Sequence, residues 1–427
     1  MKIVYKLMIV FSVIAVLAGF ECILNCSCTL TPGYLTANAE LLNNTRIKEK
    51  KDLTLLVYMA ADNDLESYAL RNLKAMEQAE FSRMNVLVLL DRSQDYDETN
   101  DNWTDTRIFE VTHDSTDNSS IVSKRLDCPP LGLTQNSNTE LDTGSYIVLK
   151  DFIEFGKAAY PAEEYALILW GHGTGWRCRT SSRAVAIDDK SNSYICVKEL
   201  GLALKNQQLS VIGFDTCFAS VFENLYELKE CADYIAASPG LTPASGWDYK
   251  SLLQGLSTSN FEPHLIAQKI AQCSSSKITI TKCAELTDIM TRLEDFSKAL
   301  ADTICDEQSR QEVLETLLNT KSYCYTQFPS DFYIDIFSMA QAFTAATVPL
   351  LAEKSQQLAA ATTSMETGIF LIPKTSQGTL APVHSPAYIK NQADETQSSF
   401  IKDSNWWVPT QNGNSGSLLD KLFYTVF

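Results

Sequence analysis

The chain is short of histidine, of positive charge and of long apolar runs, and each shortage excludes something. Four histidines in 427 residues (His113, His172, His264, His384) are too few for a multi-histidine metal centre, and no H-E-x-x-H is present. Lys and Arg number 35 against 52 Asp and Glu, for a net charge of −17. A partner of nucleic-acid backbone needs the opposite balance, because binding there rests on neutralising phosphates. The acidic balance suits a soluble chain that attracts basic ligands. No G-x-G-x-x-G or P-loop occurs, which removes dinucleotide and ATP binding. The absence of G-x-S-x-G removes an α/β-hydrolase lipase or esterase, although Gly171-His172-Gly173-Thr174-Gly175 looks like an oxyanion-hole turn. There is no C-x-x-C, hence neither a zinc ribbon nor a thioredoxin-type site.

What is present begins with an apolar content of 45%, enough for a large core, and a length that suggests two or three domains. Lys2 and Lys6 precede an apolar run from Leu7 to Phe20, the size of a signal-peptide h-region and too short for a comfortable membrane span. Cys22, Cys26 and Cys28 follow it like a bacterial lipoprotein cleavage site, while Ala37-Asn38-Ala39 offers an A-x-A site for ordinary secretion. The expectation is export, with lipid anchoring at the cell envelope or otherwise secretion. Residues 1–28 are then the signal segment and 29–51 a polar tether. Nine cysteines remain, and an odd number in an exported chain leaves at least one thiol unpaired.

Leu53–Ala60, Val86–Leu90, Ala166–Trp170, Val211–Phe214 and Tyr234–Ser238 read as buried strands, with a short strand at Arg107–Val111. Helical patterns lie between them at Leu65–Glu80, Gly144–Ala159, Val197–Lys205 and Ala219–Cys231, the first opened by an Asp62-Asn63-Asp64 turn and cap. Strands alternating with helices predict an α/β fold with a mainly parallel sheet over residues 52–255. Beyond that, His264–Cys273, Glu285–Ile304, Gln311–Lys321 and Ile334–Ala346 have helical spacing and only Thr367–Ile372 reads as a strand. Residues 256–427 are therefore expected to be a mostly helical C-terminal region packed on the sheet domain.

Two segments carry reactive chemistry. Ala166–Gly175 places His172 among glycines at the carboxyl end of one buried strand, and Ser210–Cys217 places Cys217 at the carboxyl end of another. In open α/β sheets that edge is where ligands bind. A helix N-terminus and a nearby imidazole would both lower the thiol's pKa, giving the thiolate needed for attack. Each residue has a plainer reading, the Cys as a small buried apolar group and the His as a structural hydrogen bonder. Their pairing at equivalent strand ends is much more specific than either alone.

Leu56-Val57-Tyr58-Met59-Ala60-Ala61-Asp62-Asn63-Asp64-Leu65-Glu66, Trp170-Gly171-His172-Gly173, Asp215-Thr216-Cys217, Pro239-Gly240 and Gly246-Trp247-Asp248-Tyr249 together resemble the clostripain family of cysteine peptidases. The likeness continues through Asp335-Ile336 to Gly368-Ile369-Phe370-Leu371-Ile372-Pro373, with Thr216 a mild departure at a position usually small and apolar. The resemblance implies a caspase-like three-layer sandwich, cleavage after basic residues, Cys217 as nucleophile and His172 as general acid/base. It implies an oxyanion hole from the backbone N–H groups of Gly173 and Cys217.

Asp215, on the same strand face as Cys217, is placed to receive a substrate Arg or Lys, unless it is a helix cap. Asp248 is a second candidate for that pocket, and Trp247 is either its wall or a core aromatic. Family members are often cut between the His and Cys strands, and Arg177, Arg179, Arg183 and Lys190 are candidate processing sites there. No cofactor is required, although some relatives use calcium. Asp95-Tyr96-Asp97 with Asp101 offers oxygen ligands, but lacks the EF-hand pattern and reads rather as a solvated acidic loop. The expectation is a monomeric exported cysteine endopeptidase with a Cys–His dyad, acting on protein or peptide substrates. The alternative is a non-catalytic surface-binding lipoprotein on a peptidase scaffold, which would normally have lost Cys217 or His172.

Overall fold

The computed structural model describes residues 48–370, apart from 95, 117–118, 176–184, 326–327 and 364. In chain order the strands are β1 (Lys51–Ala61), β2 (Met84–Arg92), β3 (Thr106–Glu110), β4 (Lys124–Arg125), β5 (Ala162–Trp170), β6 (Val185–Asp188), β7 (Ser193–Ile195), β8 (Leu209–Asp215), β9 (Ala232–Ala237), β10 (Thr279–Lys282), β11 (Ser322–Tyr325), β12 (Phe328–Asp335) and β13 (Gly368–Phe370). The helices are α1 (Glu66–Glu77), α2 (Tyr146–Ala159), α3 (Val197–Leu204), α4 (Phe222–Glu227), α5 (Tyr249–Ser257), α6 (Pro263–Gln272), α7 (Leu286–Thr303), α8 (Glu307–Leu318), α9 (Ile336–Ala342) and α10 (Pro349–Thr362).

The continuous apolar run of β1 has its explanation in burial on both faces. Leu56, Tyr58 and Ala60 enter one core, and Leu55, Val57 and Met59 enter the other. The eight-stranded sheet has the order β10-β9-β8-β5-β1-β2-β3-β4. Its middle five strands are parallel, and antiparallel β10, β3 and β4 finish the edges. Leu73 of α1, Leu252 of α5 and Ile266 of α6 fill the core on one face. Phe152 of α2, Leu200 of α3, Phe222 of α4 and Leu293 of α7 fill the other. The result is the three-layer α/β architecture expected from the alternating strand and helix patterns.

The boundary drawn near residue 255 does not coincide with the end of the sheet, which runs on through α6 to β10, paired to β9. Beyond it, the expected single strand is one of three, in a sheet ordered β11-β12-β13. The helical pattern drawn from Ile334 starts two residues too early: Ile334 still lies in β12, and the Asp335 carboxylate accepts from Ser338 N–H to start α9 at Ile336. Helix α4 is also shorter than Ala219–Cys231. Phe218 N–H donates to Gly240 O and Ser220 N–H to Ser238 O, so the chain after Cys217 is tied to the end of β9 before it turns helical. Among the described residues, Cys128, Cys217, Cys231, Cys273, Cys283 and Cys305 are free thiols. Cys178 and the Cys324 side chain lie outside the described residues.

The acidic loop after β2 is anchored rather than free. Arg92 and Glu66 are a fully buried ion pair, both 0% exposed. Arg92 also donates to Asp97 O at 2.5 Å and Thr99 O at 3.2 Å and lies against the Trp103 ring, while Asp97 N–H donates to Glu66. Removing one partner leaves a buried charge alone. Arg92→Ala is accordingly expected to lower stability by ~3–5 kcal/mol, and Arg92→Met with Glu66→Leu to recover most of it. Urea unfolding midpoints of the two variants check this.

Candidate active site

Strands β5 and β8 pair in parallel with Trp170 opposite Asp215. His172 and Cys217 each lie two residues beyond that pair, so the register itself brings both to the same edge of the sheet. The two strand ends come close together at Gly173. A Cβ there would stand 2.5 Å from the Cys217 carbonyl oxygen, so only glycine allows this approach. Gly173 also forms a bridge with Val185, at the start of the β6–β7 hairpin.

The Asp62-Asn63-Asp64 turn is more than a helix start. Asn63 does the local work: its Oδ1 accepts from Leu65 N–H, and its Nδ2 donates to Ala60 O and Ile187 O. Asp64 is left to reach across to His172, whose Nε2 lies 2.6 Å from Asp64 Oδ1. The carboxylate holds the proton on Nε2, which leaves Nδ1 as the nitrogen available for proton transfer. This third residue was not assigned from sequence, although it stands inside the segment that marked the resemblance.

The Cys217 thiol is partly exposed and sits against Thr242, with Thr242 N–H at 3.3 Å from Sγ and Thr242 O at 3.6 Å. Burial pushes the thiol up from its ordinary value; the Thr242 N–H opposes this and the Asp215 charge adds to it. The expected lowering by a helix N-terminus is not found, because α4 starts only at Phe222.

Asp215, two residues before Cys217, is buried. Its Oδ2 accepts from Trp247 N–H at 3.0 Å and from the Tyr249 hydroxyl at 2.9 Å, whereas Oδ1 is buried without a hydrogen-bond partner. Burial pushes the carboxyl up to about 7, against the lowering effect of the two donors. Gly246, at φ +69°, passes over this group, and a Cβ there would fall 2.8 Å from Asp215 Oδ2 and 2.5 Å from Asn72 Nδ2. The Asn72 amide nitrogen likewise has no partner. A buried carboxyl group thus has one unused acceptor.

The other site candidates fall elsewhere. Trp247 is 2% exposed and its ring abuts Gly213 and belongs to the core, so it meets Asp215 through its backbone N–H alone. Asp248 does not join Asp215: it is exposed, and its carboxylate caps α5 by accepting from Ser251 N–H and Oγ. Lys190, in the β6–β7 turn, is ion-paired with Glu140 at 2.9 Å. Arg177, Arg179 and Arg183 lie outside the described residues. So does Asp95, while Asp97 is spent on the local turn to Thr99. Among the described residues, neither Asp97 nor Asp101 joins a group close enough to share a cation.

A model of the clostripain family matches residues 57–366. Clostripain of Hathewaya histolytica is 25% identical over 234 residues, which is 50% of this chain and 44% of that protein, so the chain spans less than half the relative's length. An inactive zymogen C11 protease from Parabacteroides distasonis superposes with a TM-score of 0.57 at 21% identity, covering 84% of this chain and 99% of the other. A secreted C11 cysteine protease from Bacteroides thetaiotaomicron, solved with an irreversible peptide inhibitor, gives 0.55 at 17% identity over 81% and 98% of the two chains. These two likenesses establish the fold. No helix among the described residues is long and apolar enough to cross a membrane.

Proposed function

The chain belongs to the clostripain family of cysteine peptidases, and from that premise we propose an exported endopeptidase that cleaves after Arg or Lys. The single observation that supports this specificity best is the buried Asp215 carboxylate with its unused Oδ1, two residues before Cys217. A guanidinium or ammonium entering beside the scissile bond supplies the missing partner, and no neutral side chain offers the same compensation.

In this reading the substrate carbonyl lies against Cys217 Sγ. The thiol gives its proton to His172 Nδ1, and the thiolate attacks the carbonyl carbon. The oxyanion develops towards the backbone N–H groups of Gly173 and Cys217. The imidazolium protonates the leaving amine as the C–N bond breaks, and water then hydrolyses the thioester. Cys217 and His172 do the bond-making, while Asp64 is a positioning residue. The Asp64–His172 pair is exposed, which limits its contribution. Asp64→Ala is expected to lower kcat about tenfold with KM unchanged, the scale of one charge-assisted hydrogen bond. Steady-state kinetics on one Arg peptide decides it, and an unchanged kcat overturns the assignment.

The proposal includes activation by cleavage between His172 and Cys217, supported by the mention of a zymogen in the name of a structural relative. Of the four candidate positions Lys190 is the one among the described residues, and its ammonium is held by Glu140 at 2.9 Å. The test is a panel of fluorogenic peptides ending in Arg, Lys, Asp or Asn, given to the purified protein and its Cys217→Ala form under reducing conditions. Turnover after Arg and Lys alone, with the 174–209 segment cut only in the wild type, is the expected result. Cleavage after Asp or Asn overturns the specificity. Silence on every peptide by a folded and processed chain favours the non-catalytic binding role.

A further inference from the structure

Helix α1 turns one face into the core, and its buried polar residues are Glu66, Asn72 and Glu77. The two carboxylates are paired: Glu66 is held by Arg92, and Glu77 by Lys74 and by the N–H and hydroxyl of Ser123. Asn72 differs from both. It is 5% exposed, and its Nδ2 is buried without a hydrogen-bond partner. An unmet buried donor costs stability that an alanine or leucine at the same place in the helix avoids, so the amide calls for an explanation outside the fold. The unmet amide also lies close to the Asp215 carboxyl group. The point that a Cβ on Gly246 would occupy is 2.5 Å from Asn72 Nδ2, 2.8 Å from Asp215 Oδ2 and 3.1 Å from Trp170 Nε1. Polar atoms from α1, β8 and β5 therefore converge beneath Gly246.

The indole N–H can only donate, and the amide nitrogen also donates. The Asn72 nitrogen has no bond to lose, so the amide can turn about its last torsion and present its oxygen to a cation instead. That gain is unequal for the two basic side chains. A guanidinium pairs best with a carboxylate through both oxygens at once. Here Oδ2 already accepts from Trp247 N–H and the Tyr249 hydroxyl, which leaves Oδ1. The planar fork of Arg then needs a second acceptor beside the carboxylate. The compact ammonium of Lys, a point charge with rotatable donors, is served by one oxygen and water. We propose that Asn72 is a specificity-determining residue of the Asp215 pocket, accepting from the guanidinium of an Arg substrate and so favouring Arg over Lys. The inference rests on the cleavage after basic residues proposed above, and it goes further by separating the two.

The test is the ratio of kcat/KM for two peptides that differ only in having Arg or Lys before the cleaved bond. A ratio taken within one preparation does not depend on the fraction of folded or processed enzyme, so a purely structural defect leaves it unmoved. Asn72→Leu keeps the branched shape without the amide, and is expected to lower the Arg-to-Lys ratio about tenfold, chiefly through Arg. Asn72→Asp retains an acceptor and is expected to hold the ratio within about threefold of the wild type or above it. If Asn72→Leu does not fold, Asn72→Ala removes the acceptor without added bulk and decides. An unchanged ratio in the variant lacking the acceptor, with the wild type cleaving after Arg and Lys, overturns the role of Asn72 alone. So does a ratio in Asn72→Asp that falls as far as in Asn72→Leu. A wild type that cleaves after neither residue overturns the basic specificity, and this inference with it.

Discussion

The full-length protein carrying Cys217→Ala is expected to lose hydrolysis of Arg and Lys peptides by a factor of ~10^4 or more, with substrate binding retained. The size of the loss follows from what remains. Without Sγ no acyl-enzyme forms, and the nucleophile left is water, far weaker than a thiolate. The N–H groups of Gly173 and position 217 and the Asp215 pocket persist, because they belong to backbone and to strands fixed by the Trp170–Asp215 register. The substitution itself is conservative. Among the described residues Cys217 Sγ has Thr242 as its partner, and the loop keeps its bond from Thr242 Oγ1 to Thr216 O. Burial and the Asp215 charge both push the thiol up from its ordinary value, against ionisation. His172→Ala is therefore expected to approach the same loss, the two residues acting as a unit. Purified proteins of matched circular dichroism, assayed on one Arg peptide, check this. Residual activity above ~1% in Cys217→Ala shows that another residue is the nucleophile.

The parts of this site that the sequence made legible are those whose chemistry is local. A strand buried on both faces must be apolar throughout, so β1, β2, β5, β8 and β9 announced themselves, and a His and a Cys at equivalent ends of two of them stood out. The close approach at Gly173 was implied by a glycine on each side of His172. What was hidden depended on distant pairings. Asp64 looked like part of a helix cap until Asn63 took that role and freed it for a residue 108 positions along the chain. Asp248 looked like a pocket residue because it neighbours Trp247, yet the nearest unmet donor was Ser251 N–H at the start of its own helix. The thiol's surroundings were misread for a similar reason. The apolar stretch after Cys217 has helical spacing, but its first residues satisfy their N–H groups on Gly240 and Ser238 instead. The placing of Asn72 close to Asp215 is invisible in sequence, since it joins α1 to the end of β8 beneath Gly246.

Asp215→Asn is expected to produce the second large effect, a loss of ~10^2- to 10^3-fold in kcat/KM for Arg and Lys peptides that leaves folding intact. The magnitude is that of removing one partner of a desolvated charge pair, about 2–5 kcal/mol, with each 1.4 kcal/mol a factor of ten. The asparagine keeps the native shape, since its carbonyl still accepts from Trp247 N–H and the Tyr249 hydroxyl, so only the charge is withdrawn. The same residue gives the wild type a pH signature. Burial lifts the free-enzyme carboxyl to about 7. A raised acid is neutral below that value and charged above it, and only the charged form attracts a basic side chain. In the wild type kcat/KM for an Arg peptide should therefore fall as pH drops through about 7, because this ratio reports the free enzyme's ionisations. Other groups at the site also titrate, so the diagnostic is the comparison: the asparagine variant should lose the limb due to Asp215 and keep the rest. Full pH profiles of both proteins on Arg and neutral peptides read this directly. A variant that still prefers Arg and Lys, with an unchanged acid limb, places the recognition of the basic side chain on another carboxylate.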